Sequence, residues 1–354
     1  MDPRVSDDPS MVLRSALLRS AEVALAAGQT VQAVADFDRA AAMLHAADTE
    51  MGLVRAYLQA GEYRRALAFC AHTAGAHLDS APASALYAWL LRVGGQGVFG
   101  QRVLDEALLR APADAVVVEV ARAFRQPLPV AQGVLLEPPH RLAPYGVAEP
   151  AQAAPTAAAQ VVSGAVLIDQ GRRALVPLAS LPVDVSEPLR VRNGLGRTSF
   201  ARLDPGGQPP RALGVAVLLL AVPLESPSGQ VMAPRDPFAG SPGFVVTYAA
   251  PGRSDAAWPW LFQGFFGGDE GQAGMRRLGI EIPVGLPGAA VFDAGGRLAG
   301  ITLPNAANQM LPVSLWKVWA GASDETAPSP VARMPADEAY ERALRVGLQL
   351  IVGR

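Results

Sequence analysis

The chain has 354 residues, half of them hydrophobic and 18% charged, with 30 basic and 32 acidic side chains and a net charge of −2. That balance excludes an electrostatic hold on nucleic acid, and the length suffices for two domains. Cys70 is the only cysteine, which excludes an intrachain disulfide. Lys317 is the only lysine in a chain rich in Arg, Ala, Gly and Pro, a bias of GC-rich bacterial genomes rather than a functional signal. The opening "MDPRVSDDPSMVLRSALLRSAEVAL" is acidic and then amphipathic. It has no basic start, long apolar core or cleavage site, so the expected compartment is the cytoplasm, or the periplasm if the chain is a processed form. The longest apolar run, "LGVAVLLLAVPL", is of strand length, so no transmembrane segment is expected.

Residues 10–127 carry Ala, Leu and Arg at helical spacing. Within them "AGQTVQAVADFDRA" (27–40) and "AGEYRRALAFCAHT" (60–73) align at a spacing of 33, and a looser unit runs through Tyr87, Leu91, Leu104, Ala107 and Pro112. Small residues (Ala33, Ala66) let paired helices approach, and larger ones four positions on (Phe37, Cys70) fill the groove. The pattern resembles tetratricopeptide repeats, whose period is about 34 residues. The family's usual Trp and Gly-Tyr positions are mostly absent, so a plain helical bundle is the alternative. Repeats would offer a concave face to a protein partner, with Tyr57, Arg64 and Tyr87 as candidate contacts.

From residue 128 the composition turns to Pro, Gly and Val. Residues 128–160, with the Ala/Pro run "AEPAQAAPTAAAQ", are expected to be a linker or arm. Residues 161–322 hold short apolar runs separated by Gly and Pro turns, the pattern of a barrel or sandwich. In "PADEAYERALRVGLQLIV" (335–352), apolar spacing after a Pro-Ala-Asp start predicts a terminal helix. The expected class is α+β multidomain.

Four β segments resemble, in order, the trypsin-fold proteases of the HtrA-like type: "SGAVLIDQGRRALVPLASL", "GLGRTSFARLD" followed by "GVAVLLL", "GLPGAAVFDAGGRLAGI", and "NQMLPVSLWKVW". The resemblance spans roughly 160–320 and implies a double β-barrel. It places Ala179 at the family's catalytic His, Gly214 at its Asp and Pro287 at its nucleophilic Ser. None of these can attack, take a proton or orient a base. Pro287 also lacks the backbone N–H that the family uses as an oxyanion donor. The four histidines, His45, His72, His77 and His140, all precede the barrel strands.

Other chemistries are weaker. "GGDEG" (267–271) places two acids in a Gly-rich loop that is most simply solvated, and no Cys/His spacing suggests zinc. No metal or cofactor is expected. Trp258 and Trp260 bracket a proline and are read as a loop, with Phe262 entering a strand. Either these aromatics are core or they form an exposed patch that anchors a protein interface. The expected function is a non-enzymatic pseudoprotease serving as scaffold, adaptor or accessory subunit in a bacterial protein assembly. The rivals are a hydrolase with relocated catalytic residues and a transient assembly chaperone.

Overall fold

A computed structural model describes residues 8–148, 154–156, 158–183, 187–227, 232–249, 252–253, 255–269, 274–282, 287–304, 308–321 and 332–353. The chain divides into two compact units, Met1–Val147 and Ala148–Arg354.

Among the described residues the first unit holds seven α-helices: α1 (Pro9–Ala26), α2 (Thr30–Met43), α3 (Ala47–Gln59), α4 (Tyr63–Ala76), α5 (Ala81–Val93), α6 (Gly97–Arg110) and α7 (Ala115–Phe124). The first six form three hairpins that share one turn. Gly28, Gly61 and Gly95 adopt positive φ of 73°, 79° and 85°. Each glycine N–H reaches a carbonyl three residues back, and the next residue's N–H reaches one five back: Gln29 to Ala24, Glu62 to Tyr57 and Gln96 to Leu91, at 2.8, 2.9 and 2.8 Å. This is the Schellman closure, which satisfies the last helical carbonyls and needs the left-handed freedom of glycine. The same period runs through the packing. Ala33, Ala66 and Gly100 are buried at one step, and Phe37, Cys70 and Leu104 at the next. A Cβ on Gly100 would lie 2.7 Å from the Ala88 carbonyl oxygen, so α5 and α6 approach through that bare backbone.

Residues 128–147 are not a linker. Leu128, Ala131, Leu135, Leu142 and Ala143 are buried, and a 3-10 turn spans Gly133–Leu136. Arg141 donates to the carbonyls of Leu136, Ala143 and Pro144 at 2.5, 2.9 and 3.0 Å, closing the loop on itself. The Tyr145 hydroxyl donates to Glu22 at 3.1 Å. Proline keeps the segment from becoming helical, but its apolar residues still supply a buried face.

Among the described residues the second unit contains twelve barrel strands: β1 (Gln160–Ile168), β2 (Arg173–Pro177), β3 (Leu189–Asn193), β4 (Arg197–Leu203), β5 (Val215–Leu220), β6 (Pro242–Thr247), β7 (Trp260–Asp269), β8 (Arg276–Gly279), β9 (Ala290–Asp293), β10 (Leu298–Thr302), β11 (Gln309–Pro312) and β12 (Gly347–Val352). Helix α8 (Ala336–Val346) leads directly into β12. The strands close two antiparallel six-membered rings, β12-β1-β2-β5-β4-β3 and β6-β7-β8-β11-β10-β9. The fold is therefore mixed α+β, an N-terminal helical unit followed by a trypsin-like pair of β-barrels. Closure leaves neither ring with a free edge.

The rings share one pairing rule once β12 is counted as the first strand of its ring. First pairs with second, second with third, third with sixth, sixth with fifth, fifth with fourth and fourth with first. The opening strand of the first barrel thus comes from the end of the sequence. This corrects two expectations, that 335–352 is one helix and that 161–322 completes both barrels. The helix stops at Gly347, whose backbone is extended, and "GLQLIV" runs on as strand between β1 and β3. Leu348 and Leu350 enter the barrel core while Ile351 packs beside Tyr248 and Val161. A strand buried on both faces has no period-2 alternation, so it reads like a continuation of the helix before it. Three further bonds fix β12: Arg192 Nε donates to Gln349 Oε1 at 2.9 Å, Tyr248 Oη to the Gly347 carbonyl at 2.8 Å, and Arg190 to the Gly353 carbonyl at 2.6 Å.

Candidate functional site

The three positions that the resemblance marks lie at the junction of the barrels. Ala179 sits in a 3-10 turn, Leu178–Ser180, just after β2, and its residue is exposed. Gly214 precedes β5 in a left-handed conformation with φ 69°. The Leu178 N–H donates to the Gly214 carbonyl at 2.8 Å, so these two segments are joined by main chain. Pro287 leads into β9 of the second barrel, and its carbonyl accepts from the Gly164 N–H of β1 in the first barrel at 2.6 Å.

The residue after Pro287 is pinned more closely. Gly288 has φ 85°, and a Cβ there would lie 2.2 Å from the Gly164 carbonyl oxygen and 3.1 Å from the Pro177 ring. Its N–H donates to the Thr302 carbonyl at 3.0 Å, while Thr302 Oγ1 accepts from Ala289 N at 2.9 Å. The turn beyond is equally set. Asp293 accepts from the N–H groups of Gly295 and Arg297 at 2.9 Å each, and from Arg297 Nε at 2.7 Å, which holds the β9–β10 hairpin.

The neighbourhood offers little for nucleophilic chemistry. Ser163 is fully buried and its hydroxyl donates to the adjacent Gly164 carbonyl at 2.6 Å. From residue 148 onward the sequence contains no histidine and no cysteine. Asp236 and Ser314 form an exposed hydrogen bond of 2.7 Å without a base between them. Residues 283–286, which lead up to Pro287, lie outside the described residues, as do Glu270 and Gly271 of "GGDEG".

For Trp258 and Trp260 the structure rejects the exposed-patch alternative. Trp258 and Trp260 are each 4% exposed, so neither is a surface anchor. Trp260 opens β7 opposite Thr247, and the carbonyl of Pro259 between them accepts from the Tyr340 hydroxyl of α8 at 2.8 Å. A Cβ on Gly194 would lie 2.8 Å from the Pro259 ring, so the turn is wedged against the first barrel. Proline excludes the helix here, as expected, but it routes the rings inward. Phe262 is half-buried on β7, and Phe265 is the exposed aromatic of the run.

In the helical unit, Tyr57 is buried, Tyr87 half-buried and Arg64 exposed. The Arg65 guanidinium stacks 3.9 Å from the centre of the Tyr57 ring and donates to its hydroxyl at 3.1 Å. Burial raises the phenol pKa of both tyrosines. Cys70 is fully buried, and desolvation drives its thiol pKa far upward. The native chain should therefore give no reaction with a thiol-disulfide reagent at pH 8 and one equivalent after unfolding in guanidinium. Prompt native reaction would show that α4 opens.

Reading the sequence for a protease uses the histidines only for their absence from the barrels. It misses that three of the four stand together in the helical unit. Their concentration between residues 45 and 77 was the available signal.

No known family profile matches the chain, and no curated protein matches it. Just under half of the chain, 45–48%, aligns with three solved protease structures. The apo MamO protease domain from Magnetospirillum magneticum is 16% identical, over 48% of this chain and 97% of that one, with a TM-score of 0.33. Deg5 is 12% identical over 45% and 84%, with a TM-score of 0.35. The inactive form of Rv3671c protease is 14% identical over 46% and 88%, with a TM-score of 0.34. At these values the likeness carries no argument, and the double barrel rests on the strand pairing described above.

Proposed function

We propose that the chain is a non-enzymatic pseudoprotease that acts through protein contacts, as a scaffold, adaptor or accessory subunit of a bacterial assembly. One observation carries the reading. The barrel unit's sequence has neither histidine nor cysteine, and Ala179, Gly214 and Pro287 stand where the resemblance puts a base, an acid and a nucleophile. A hydroxyl at neutral pH is a poor nucleophile without a base. Gly288 and Gly164 support the reading as well, because the main chain of the candidate cleft is tied across the barrels.

The helical hairpins are the favoured docking element. Under the tetratricopeptide-like reading they present a face to a partner segment, and buried Trp258 and Trp260 no longer compete for that role. Affinity purification of the full chain from its native organism, read by mass spectrometry, is the test. A recurrent partner should co-purify with wild type and be depleted at least about fivefold by Arg64→Glu, the loss of roughly 1 kcal/mol. No recurrent partner, or one indifferent to Arg64→Glu with the fold intact, would count against docking through this face. Among the described residues no helix is long and apolar enough to cross a membrane.

A further inference from the structure

We propose that His45, Glu50 and His77, with His72 in reach as a fourth ligand, form a binding site for a divalent transition metal of the zinc class. His45 lies on the connection between α2 and α3, Glu50 in the first turn of α3, His72 on α4, and His77 at the C-terminal cap of α4. The hairpin packing brings these four positions to one point. His45 Nε2 is 2.6 Å from Glu50 Oε1, His77 Nε2 is 3.3 Å from Glu50 Oε2, and His72 Nε2 is 4.0 Å from Glu50 Oε1. One ligand atom from each of His45, Glu50 and His77 lies within 4.8 Å of the others.

Two facts point to a cation rather than to a plain ion pair. The Glu50 side chain is 4% exposed, yet Oε2 has no hydrogen-bond partner. His77 Nε2, facing it, is also buried and also without one. Two buried polar atoms left unsatisfied against each other are costly, and a metal ion between them would satisfy both. Ligand atoms around a tetrahedral zinc ion with bonds near 2.0–2.1 Å lie about 3.3 Å apart, so the observed separations need only small side-chain movements. The movable partners are available, since His45 and His72 are 62% and 56% exposed and also give an entry path.

The donor set selects the metal. Two or three imidazoles with one carboxylate suit zinc, cobalt or nickel, whereas calcium and magnesium take oxygen ligands. The site would tie the α2–α3 connection to the end of α4 and so join the first two hairpins. Binding to the folded arrangement alone stabilises it by mass action.

The test uses the full chain, treated with chelator and exchanged into metal-free buffer. Titration with Zn2+ and, separately, Co2+ should show one equivalent bound per chain and a raised melting temperature. Mg2+ and Ca2+ at the same concentrations should do neither. Glu50→Gln and His77→Ala should weaken Zn2+ binding by at least about tenfold, since even residues that only support a ligand are worth 10–100-fold. Glu50 is buried and His77 half-buried, so His45→Ala, at an exposed position, provides the variant that keeps its circular dichroism spectrum and still loses affinity. His140→Ala should bind as wild type does. Absence of a one-equivalent site, or wild-type affinity in a folded His45→Ala chain, would overturn the proposal, as would an equal loss in His140→Ala.

Discussion

Deleting Gly347–Val352 should unfold the first barrel. Leu348, Leu350 and Ile351 are at most 1% exposed, and each such side chain contributes about 1.5–3 kcal/mol of burial. Together that matches much of the 5–15 kcal/mol by which a typical domain is stable. The deletion also opens both ladders that β12 makes and strands Arg192, a buried guanidinium whose pKa burial already lowers to about 10 and whose Nε bonds Gln349. Near-ultraviolet circular dichroism should lose its tertiary signal, and amides of β1 and β3 should exchange freely. The milder Leu350→Ala should lower stability by about 2–5 kcal/mol in urea unfolding. A truncated chain with protected β1 amides would mean that β12 is an accessory strand.

Gly288→Ala should destabilise the barrel unit far more than Gly240→Ala. Both glycines have positive φ, 85° and 81°, so both substitutions carry the left-handed penalty of about 1–2 kcal/mol. Only at Gly288 does the new methyl meet main chain, the Gly164 carbonyl oxygen at 2.2 Å, whereas nothing lies within 4 Å at Gly240. Backbone there cannot yield as a side chain would, because Gly164 N–H is already held by Pro287. The expected result is a drop of at least about 3 kcal/mol for Gly288→Ala, against about 1 kcal/mol for Gly240→Ala. Similar midpoints for the two variants would show that the β9 approach is free to move away from β1.

The helical hairpins are legible in the sequence because their determinants are local. Gly28 and Gly61 mark the turns, and Ala33 with Ala66 mark the close approach, each pair one period apart. The hairpin around Gly295 and Gly296 is legible for the same reason, with Asp293 closing the turn by its own carboxylate. What is illegible is non-local. The segment Gly347–Val352 becomes a strand through partners about 160–190 residues earlier, and nothing in its own pattern separates it from the helix it follows. Trp258 and Trp260 are read as a loop from Pro259, but both are buried, and α8 and Gly194 meet Pro259 between them from elsewhere in the chain. The histidine cluster is hidden similarly. His45, Glu50 and His77 have no metal-ligand spacing and meet only because two hairpins stack.

Covalent labelling tests the proposal that the two barrels do not cut. The full chain is incubated with a fluorophosphonate, which traps any serine activated by a base, and read by intact mass alongside an active serine protease. The expected result is an unmodified mass at times when the control is fully labelled, and no release of peptides from casein. A stoichiometric adduct on any serine of residues 148–354, abolished by prior unfolding, would contradict it.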